Sequence, residues 1–187
     1  QTNHWNFGNK AALNFNNGGV NVMTNSEMDT PAGSASISDT QGNLLFYTNG
    51  QTVWNKNHTI MENGEGLAGE INNTQTSIII PKPGTAEKYY IFSTRVNSTT
   101  TSPRLTKGVY LAEIEISSTY PLGKVLTRFQ TLRDASTERI TAVHHKDGKA
   151  IWLITFGEAG GTTNGVKNTF SSYKIDENGL NPPLHSV

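Results

Sequence analysis

Apolar and polar residues alternate with a period of two along much of this chain, in short runs separated by Gly, Asn, Asp and Pro. That pattern predicts β-strands rather than helices. The clearest run is 34–50, SASISDTQGNLLFYTNG. Ala35 and Ile37, then Leu44 and Phe46, alternate with polar neighbours, and Asp39 with Gly42 supplies a tight turn between them. The same strand, turn and strand recur at 76–95, with Ile78, Ile80, a turn on Pro83 and Gly84, and then Tyr89 and Ile91. They recur again at 141–157, where Asp147 and Gly148 precede the run from Ala150 to Phe156. The three turn glycines lie about forty and about sixty residues apart, a spacing that suits one small four-stranded sheet per repeat. A lone sheet that is apolar on both faces must stack on a neighbour. The expected fold is therefore all-β, a β-propeller-like array of about three antiparallel blades over 1–60, 74–133 and 138–187, forming part of a longer propeller.

The remaining segments fill in this plan. Trp5 and Phe7, then Leu13 and Phe15, predict two short strands that open the first blade, followed by a loop over 24–33. Val53 and Trp54 mark another strand. The Gly-rich segment 61–76 and the segment 133–139 read as connections between blades. In 108–118, Tyr110, Ala112, Ile114 and Ile116 face one way, while Val109, Leu111, Glu113 and Glu115 face the other. The segments 96–107 and 158–167 read as exposed loops, which on a rigid sheet scaffold are the expected recognition surface. Pro182 and Pro183 confine the last segment to an edge or a tail.

Composition narrows the function classes. Fifteen basic and fifteen acidic residues leave no net charge, so no nucleic-acid or anionic-membrane partner is expected. No apolar segment approaches the ~20 residues that span a bilayer, so membrane insertion is not expected either. Cysteine is absent, which removes disulfides and thiolate metal sites. The chain begins at Gln1 without a Met, as removal of a signal peptide would leave it, and this suggests export.

The candidate chemistry is sparse. The segment TVWNKNH places Trp54 beside Asn55, Asn57 and His58, an aromatic plate with amides that suits sugar recognition. The alternative is that Trp54 packs between sheets and the amides cap turns. Glu113 and Glu115 share a strand face and are the candidate acid and nucleophile of a glycoside hydrolase. Their alternative role is pairing with Lys124 or Arg128 on a neighbouring strand. His144 and His145 are adjacent and point to opposite faces, so they cannot chelate one ion together, and His4, His58 and His185 are scattered. Asp39 with Asn43, Asn63 with Glu65, and Asp176 with Asn178 offer oxygens for a structural calcium; no other cofactor is expected. Asn57, Asn72 and Asn97 begin glycosylation sequons. No catalytic serine or cysteine motif is present.

HWNFGNKAALNFNNG, the run 34–84, KYYIF and ITAVHHKDGKAIWLITFG together resemble the N-terminal region of large Bacteroidetes surface proteins. Those proteins carry PKD-type repeats and a gliding-motility-associated C-terminal sorting domain. The resemblance implies a propeller-like module exported to the cell surface by the type 9 secretion system, with no catalytic residues to carry over. The Ser36, Asp39, Gly42 turn also resembles the Asp-box of sialidase propellers, a rim turn remote from their catalytic centre. The function expected is a non-enzymatic adhesion or scaffold module, with a polysaccharide-active enzyme or a lectin-like domain as the alternative. The expected partners are the rest of its own polypeptide, other surface-protein subunits, or glycans.

Overall fold

A computed structural model of the chain describes residues 3–96, 106–158 and 165–187. It is all-β, with no α-helix among the described residues. Three strands, β1 (His4–Phe7), β2 (Ala11–Asn14) and β3 (Asn21–Met23), form a first antiparallel sheet. Four more, β4 (Ala35–Ser38), β5 (Leu44–Thr48), β6 (Thr52–Asn55) and β7 (Ile60–Glu65), make a second meander. A third consists of β8 (Ser77–Pro81), β9 (Lys88–Arg95), β10 (Gly108–Glu115) and β11 (Lys124–Asp134). The fourth holds β12 (Ser136–His144), β13 (Ile151–Glu158), β14 (Lys167–Asp176) and β15 (Gly179–Leu180), and β16 (Leu184–Ser186) also pairs with β14.

In each meander the chain turns from first to second strand on a glycine in the left-handed region: Gly8, Gly42, Gly84 and Gly148. Three of these are the turn glycines that the sequence pattern picks out. At the second, Asp39 Oδ1 accepts the N–H groups of Gln41 (2.9 Å) and Asn43 (2.8 Å), a side-chain-closed turn. These bonds hold the Asp39 carboxyl below its ordinary pKa, the side-chain contact with Asn43 contributing most. Asp176 closes its own turn in the same way, accepting the N–H of Asn178 (3.0 Å).

The second and third meanders join into one eight-stranded sheet through a single parallel pairing, Lys124 opposite Glu62, supported by a 2.8 Å ion pair. The two ends of that sheet, β4 and β8, also meet, so the eight strands nearly close around a core. Ile37, Phe46 and Val53 from one side pack there against Tyr89, Ile91 and Ile114 from the other. The opposite face of the third meander buries Tyr90, Phe92 and Leu111 against Leu153, Tyr173 and Ile175 of the fourth. The alternation along β9 and β10 thus serves two cores, because both faces are covered. First strands lie side by side in chain order: β1 against β4, β4 against β8, β8 against β12.

Three expectations change. Residues 1–60 do not form one sheet: β1–β3 pair only among themselves, and the loop between Met23 and Ala35 separates them from the meander that starts at β4. The first residues of the connection expected at 61–76 belong to a strand, β7 (Ile60–Glu65). Asn63 at φ 58° interrupts its alternation and turns Met61 and Gly64 inward together, which hides the period of two. The connection expected at 133–139 shrinks to Ala135, because polar Arg133 and Ser136 are buried strand residues with hydrogen-bond partners. A propeller of three blades is finer than these sheets establish.

Candidate functional site

The residues singled out for sugar recognition are largely structural in place. Trp54 is buried and stacks on Tyr47 (centroids 5.4 Å apart, 12° between planes), with Met28 and Leu44 alongside. Asn55 closes a turn: its Oδ1 accepts the N–H of Asn57 (2.9 Å), and its Nδ2 donates to Thr59 Oγ1 (2.8 Å). Asn57 is exposed. His58, at φ 62°, lies between Asn25 Nδ2 (2.8 Å) and Tyr47 Oη (3.2 Å), and the same Oη accepts the Glu27 N–H (3.1 Å). The cluster therefore pins the 24–30 segment to the second meander.

It also makes that attachment sensitive to acid. With Asn25 Nδ2 donating to Nε2, the neutral ring carries its proton on Nδ1, facing Tyr47; protonation removes the acceptor that Asn25 uses. Burial lowers the His58 pKa, partly offset by Glu27. Burial lowers that of His4 as well, with repulsion from His58 second. Since both folded values lie below the ordinary 6.5, the unfolded chain binds more protons in mild acid. The contribution of this pair is whole above about pH 6.5 and shrinks as pH falls through that value toward the folded pKa values. The melting temperature should thus drop between pH 7.5 and pH 5, and His58→Gln should flatten the slope. An unchanged slope in that variant would sink the assignment.

The proposed acid pair is engaged elsewhere. Glu113 pairs with Lys88 (3.0 Å) on β9, and Glu115 accepts from Ser117 Oγ (2.8 Å). Lys124 turns to Glu62, and Arg128 donates to the Glu65 carbonyl (3.2 Å), so neither meets these carboxylates as expected. Ser171 Oγ lies 2.9 Å from His185 Nδ1, but it is wholly buried and accepts from Arg133 (2.6 Å), which withdraws electron density from it and leaves no approach for a substrate. His145 contacts Asp147 (2.8 Å), while His144 is exposed. Among the described residues no group of three or more His, Asp or Glu could hold a metal ion. The oxygens offered by Asp39 and Asp176 are taken up by their own turns.

A cleft of about 360 Å³ lies at the end of the stack opposite the glycine turns, where β9–β10, β11–β12 and β13–β14 connect. Lys107, Glu138, Arg139, Glu158 and Lys167 line it, with Ser136 and Thr137 between them. Its anchor is Ala135, a non-glycine residue at φ 53°. Its N–H donates to the Lys107 carbonyl (2.9 Å), and its carbonyl accepts from the Glu158 N–H (3.2 Å), so one residue ties both loop ends together. Behind it the buried Arg133 donates to the Glu158 carbonyl (2.5 Å), Ser171 Oγ (2.6 Å) and the Thr169 carbonyl (3.3 Å). Burial lowers the Arg133 pKa, opposed by Tyr173 and Glu158.

Both carboxylates at the cleft already accept backbone N–H groups: Glu158 from Gly165 (2.6 Å) and Glu138 from Thr74 (2.7 Å). Arg139 lies over the Phe156 ring (5.8 Å). Lys107 and Lys167 are exposed, and among the described residues neither forms an ion pair. This arrangement can hold anionic or hydroxyl-rich groups, and among the described residues no nucleophile is paired with a base in it. Sequence reading expects recognition loops at 96–107 and 158–167; most of both, and the Asn97 sequon, lie outside the described residues. It missed the cleft itself, because Ala135 and Arg133 carry no local signal. Comparison with protein-family models, curated proteins and solved structures finds no match for this chain.

Proposed function

We propose that the chain is a non-catalytic recognition scaffold: propeller-type blades that present the Lys107–Lys167 cleft to an anionic surface polymer, such as a polysaccharide bearing uronate or sulfate groups. The single observation that carries this is the cleft, which two exposed lysines line together with two carboxylates already engaged by backbone N–H groups. Its charges can therefore meet a ligand without first breaking an internal ion pair. Side-by-side first strands in chain order support the propeller reading, with the four meanders as successive blades and the two outer faces calling for more. Export to the cell surface by type 9 secretion, and calcium as an accessory structural ion, belong to this proposal and rest on the resemblance and on the loop oxygens.

Retention of the protein on immobilised polygalacturonate, alginate and neutral dextran tests the reading. Retention on an acidic polymer, lost in Lys107→Glu and Lys167→Glu and kept in Glu113→Gln, is the expected outcome. Equal retention in the two lysine variants would contradict it. Release of reducing ends by the wild-type protein, abolished by Glu113→Gln, would replace it with the hydrolase reading.

A further inference from the structure

The core between the third and fourth meanders is not evenly covered. Ile78, Ala142 and Ile151 pack against it yet stay partly open, and all three line one cavity of about 570 Å³. Ile80 and Ala150, both buried, line it as well. The cavity lies along β8 and β12, first strands of adjacent meanders, which touch but share no backbone ladder. It thus sits between two described meanders, at the end that carries the Gly84 and Gly148 turns, opposite the Lys107–Lys167 cleft.

The two strand edges supply it with polar groups. In an antiparallel ladder alternate residues turn N–H and C=O toward the partner strand, and the residues between turn theirs away. The Lys82 N–H donates to the Lys88 carbonyl (2.9 Å), which fixes that phase on β8, and the His145 N–H donates to the Ala150 carbonyl (2.8 Å), which fixes it on β12. Ile79 on β8, and Ala142 and His144 on β12, therefore direct their N–H groups to the open edges, where among the described residues no backbone carbonyl meets them. The Ile140 N–H, in the same phase on β12, finds a side-chain acceptor in Gln75 Oε1 (3.3 Å). The mouth is cationic: Lys82, His144 and Lys149 are the titratable residues lining the cavity, and among the described residues none of the three forms an ion pair. Asp147, Asp176 and Glu177 line the adjoining depression instead, and Asp147 is engaged by His145 (2.8 Å) and by the Lys149 N–H (2.9 Å).

We infer that this cavity binds a small amphiphilic anion: an apolar molecule with one carboxylate, of the size of a medium-chain fatty acid. The cavity falls within the roughly 300–1,000 Å³ of small-molecule sites. The apolar body covers Ile78, Ala142 and Ile151 and so completes the core that the two meanders leave partly open. The carboxylate stays at the turn end with Lys82 and Lys149, and the unpaired His144 N–H on the same stretch of wall is its directional donor. Two ammonium groups with no acid in the cavity select the anion over a neutral or cationic molecule of the same shape. This inference is independent of what the cleft at the other end binds.

Calorimetric titration of the 187-residue chain with decanoate, and with decanol as its neutral match, tests it. The wild-type chain should bind one decanoate with a dissociation constant on the order of 100 μM, and decanol about tenfold more weakly. Lys82→Glu combined with Lys149→Glu should weaken decanoate by about tenfold and erase its advantage over decanol. Lys56→Glu, at an exposed lysine outside the cavity, should leave both affinities unchanged. Ala142→Leu fills the cavity and should abolish binding of both molecules; if that variant fails to fold in a thermal melt, the lysine pair decides alone. Absence of saturable decanoate binding by the wild-type chain overturns the inference. Equal affinity for decanoate and decanol overturns it too, since that is general apolar adhesion. So does decanoate binding that survives the Lys82 and Lys149 changes and is lost in Lys107→Glu, which would place the anion at the other end of the stack. None of these results removes the polymer-retention test, which reads different lysines.

Discussion

Phe92→Ala should destabilise the protein by about 3–5 kcal/mol, a large part of the total for a domain of this size. Phe92 is wholly buried between the third and fourth meanders, beside Tyr90 at 6.1 Å between ring centroids. Its removal leaves a cavity walled by Leu153 and Tyr173, which belong to a different sheet and can close over it only if the two sheets shift. Urea unfolding followed by circular dichroism measures this directly. The comparison is Phe170→Ala on the outward face, where the ring is half-exposed and the loss should stay below about 1 kcal/mol. Similar losses at both positions would mean that the buried face does not lie where the fold puts it.

Gly157→Ala should cost about 2–3 kcal/mol and weaken polymer retention as well. A Cβ at Gly157 would stand 2.6 Å from the Ala135 carbonyl oxygen and 2.9 Å from Ser136 Cα. Both are backbone atoms, one of the Ala135 junction and one of the first residue of β12, so no side chain can swing aside. The chain would have to move Ala135, and with it the two hydrogen bonds that hold Lys107 and Glu158 in place. Gly19→Ala is the control, since a Cβ there meets nothing within 4 Å and the backbone is extended. Its stability should be unchanged or slightly raised. A Gly157→Ala protein with wild-type stability and retention would show that the junction tolerates slack.

The hairpins were legible because their signals are local. A period-two pattern broken by Asp-x-x-Gly or by a Pro-Gly turn fixes register within a few residues, and Gly42, Gly84 and Gly148 all take the left-handed backbone that such turns require. The faces of β10 were legible for the same reason. What depends on distant partners was not. β7 was hidden by the bulge at Asn63, and the split between β3 and β4 depends on which strands pair, not on how each reads alone. The junction at Ala135 was obscured because Arg133, Ser136 and Glu158 are polar yet buried, each satisfied by a group at least twenty residues away or in the next loop.

The candidate site shows the same division. That 96–107 and 158–167 connect strands was legible from their composition, whereas Trp54, an aromatic beside amides in the sequence, is buried and stacks on Tyr47. Glu113 and Glu115 share a face as expected, but their partners came from Lys88 on the strand before and from nearby Ser117. A strand pattern says which face a side chain occupies and is silent on which of two neighbouring strands will supply its partner.

The measurement that bears most directly on the central claim, that successive meanders stack in chain order around shared cores, is a set of nuclear Overhauser contacts between rings. Phe46 and Tyr89, from the second and third meanders, have ring centroids 5.4 Å apart and should give a strong cross-peak, as should Phe92 with the Leu153 methyl groups across the next interface. Cross-peaks confined within each meander, with none between Phe46 and Tyr89 or between Phe92 and Leu153, would contradict the stack and the cleft built on it.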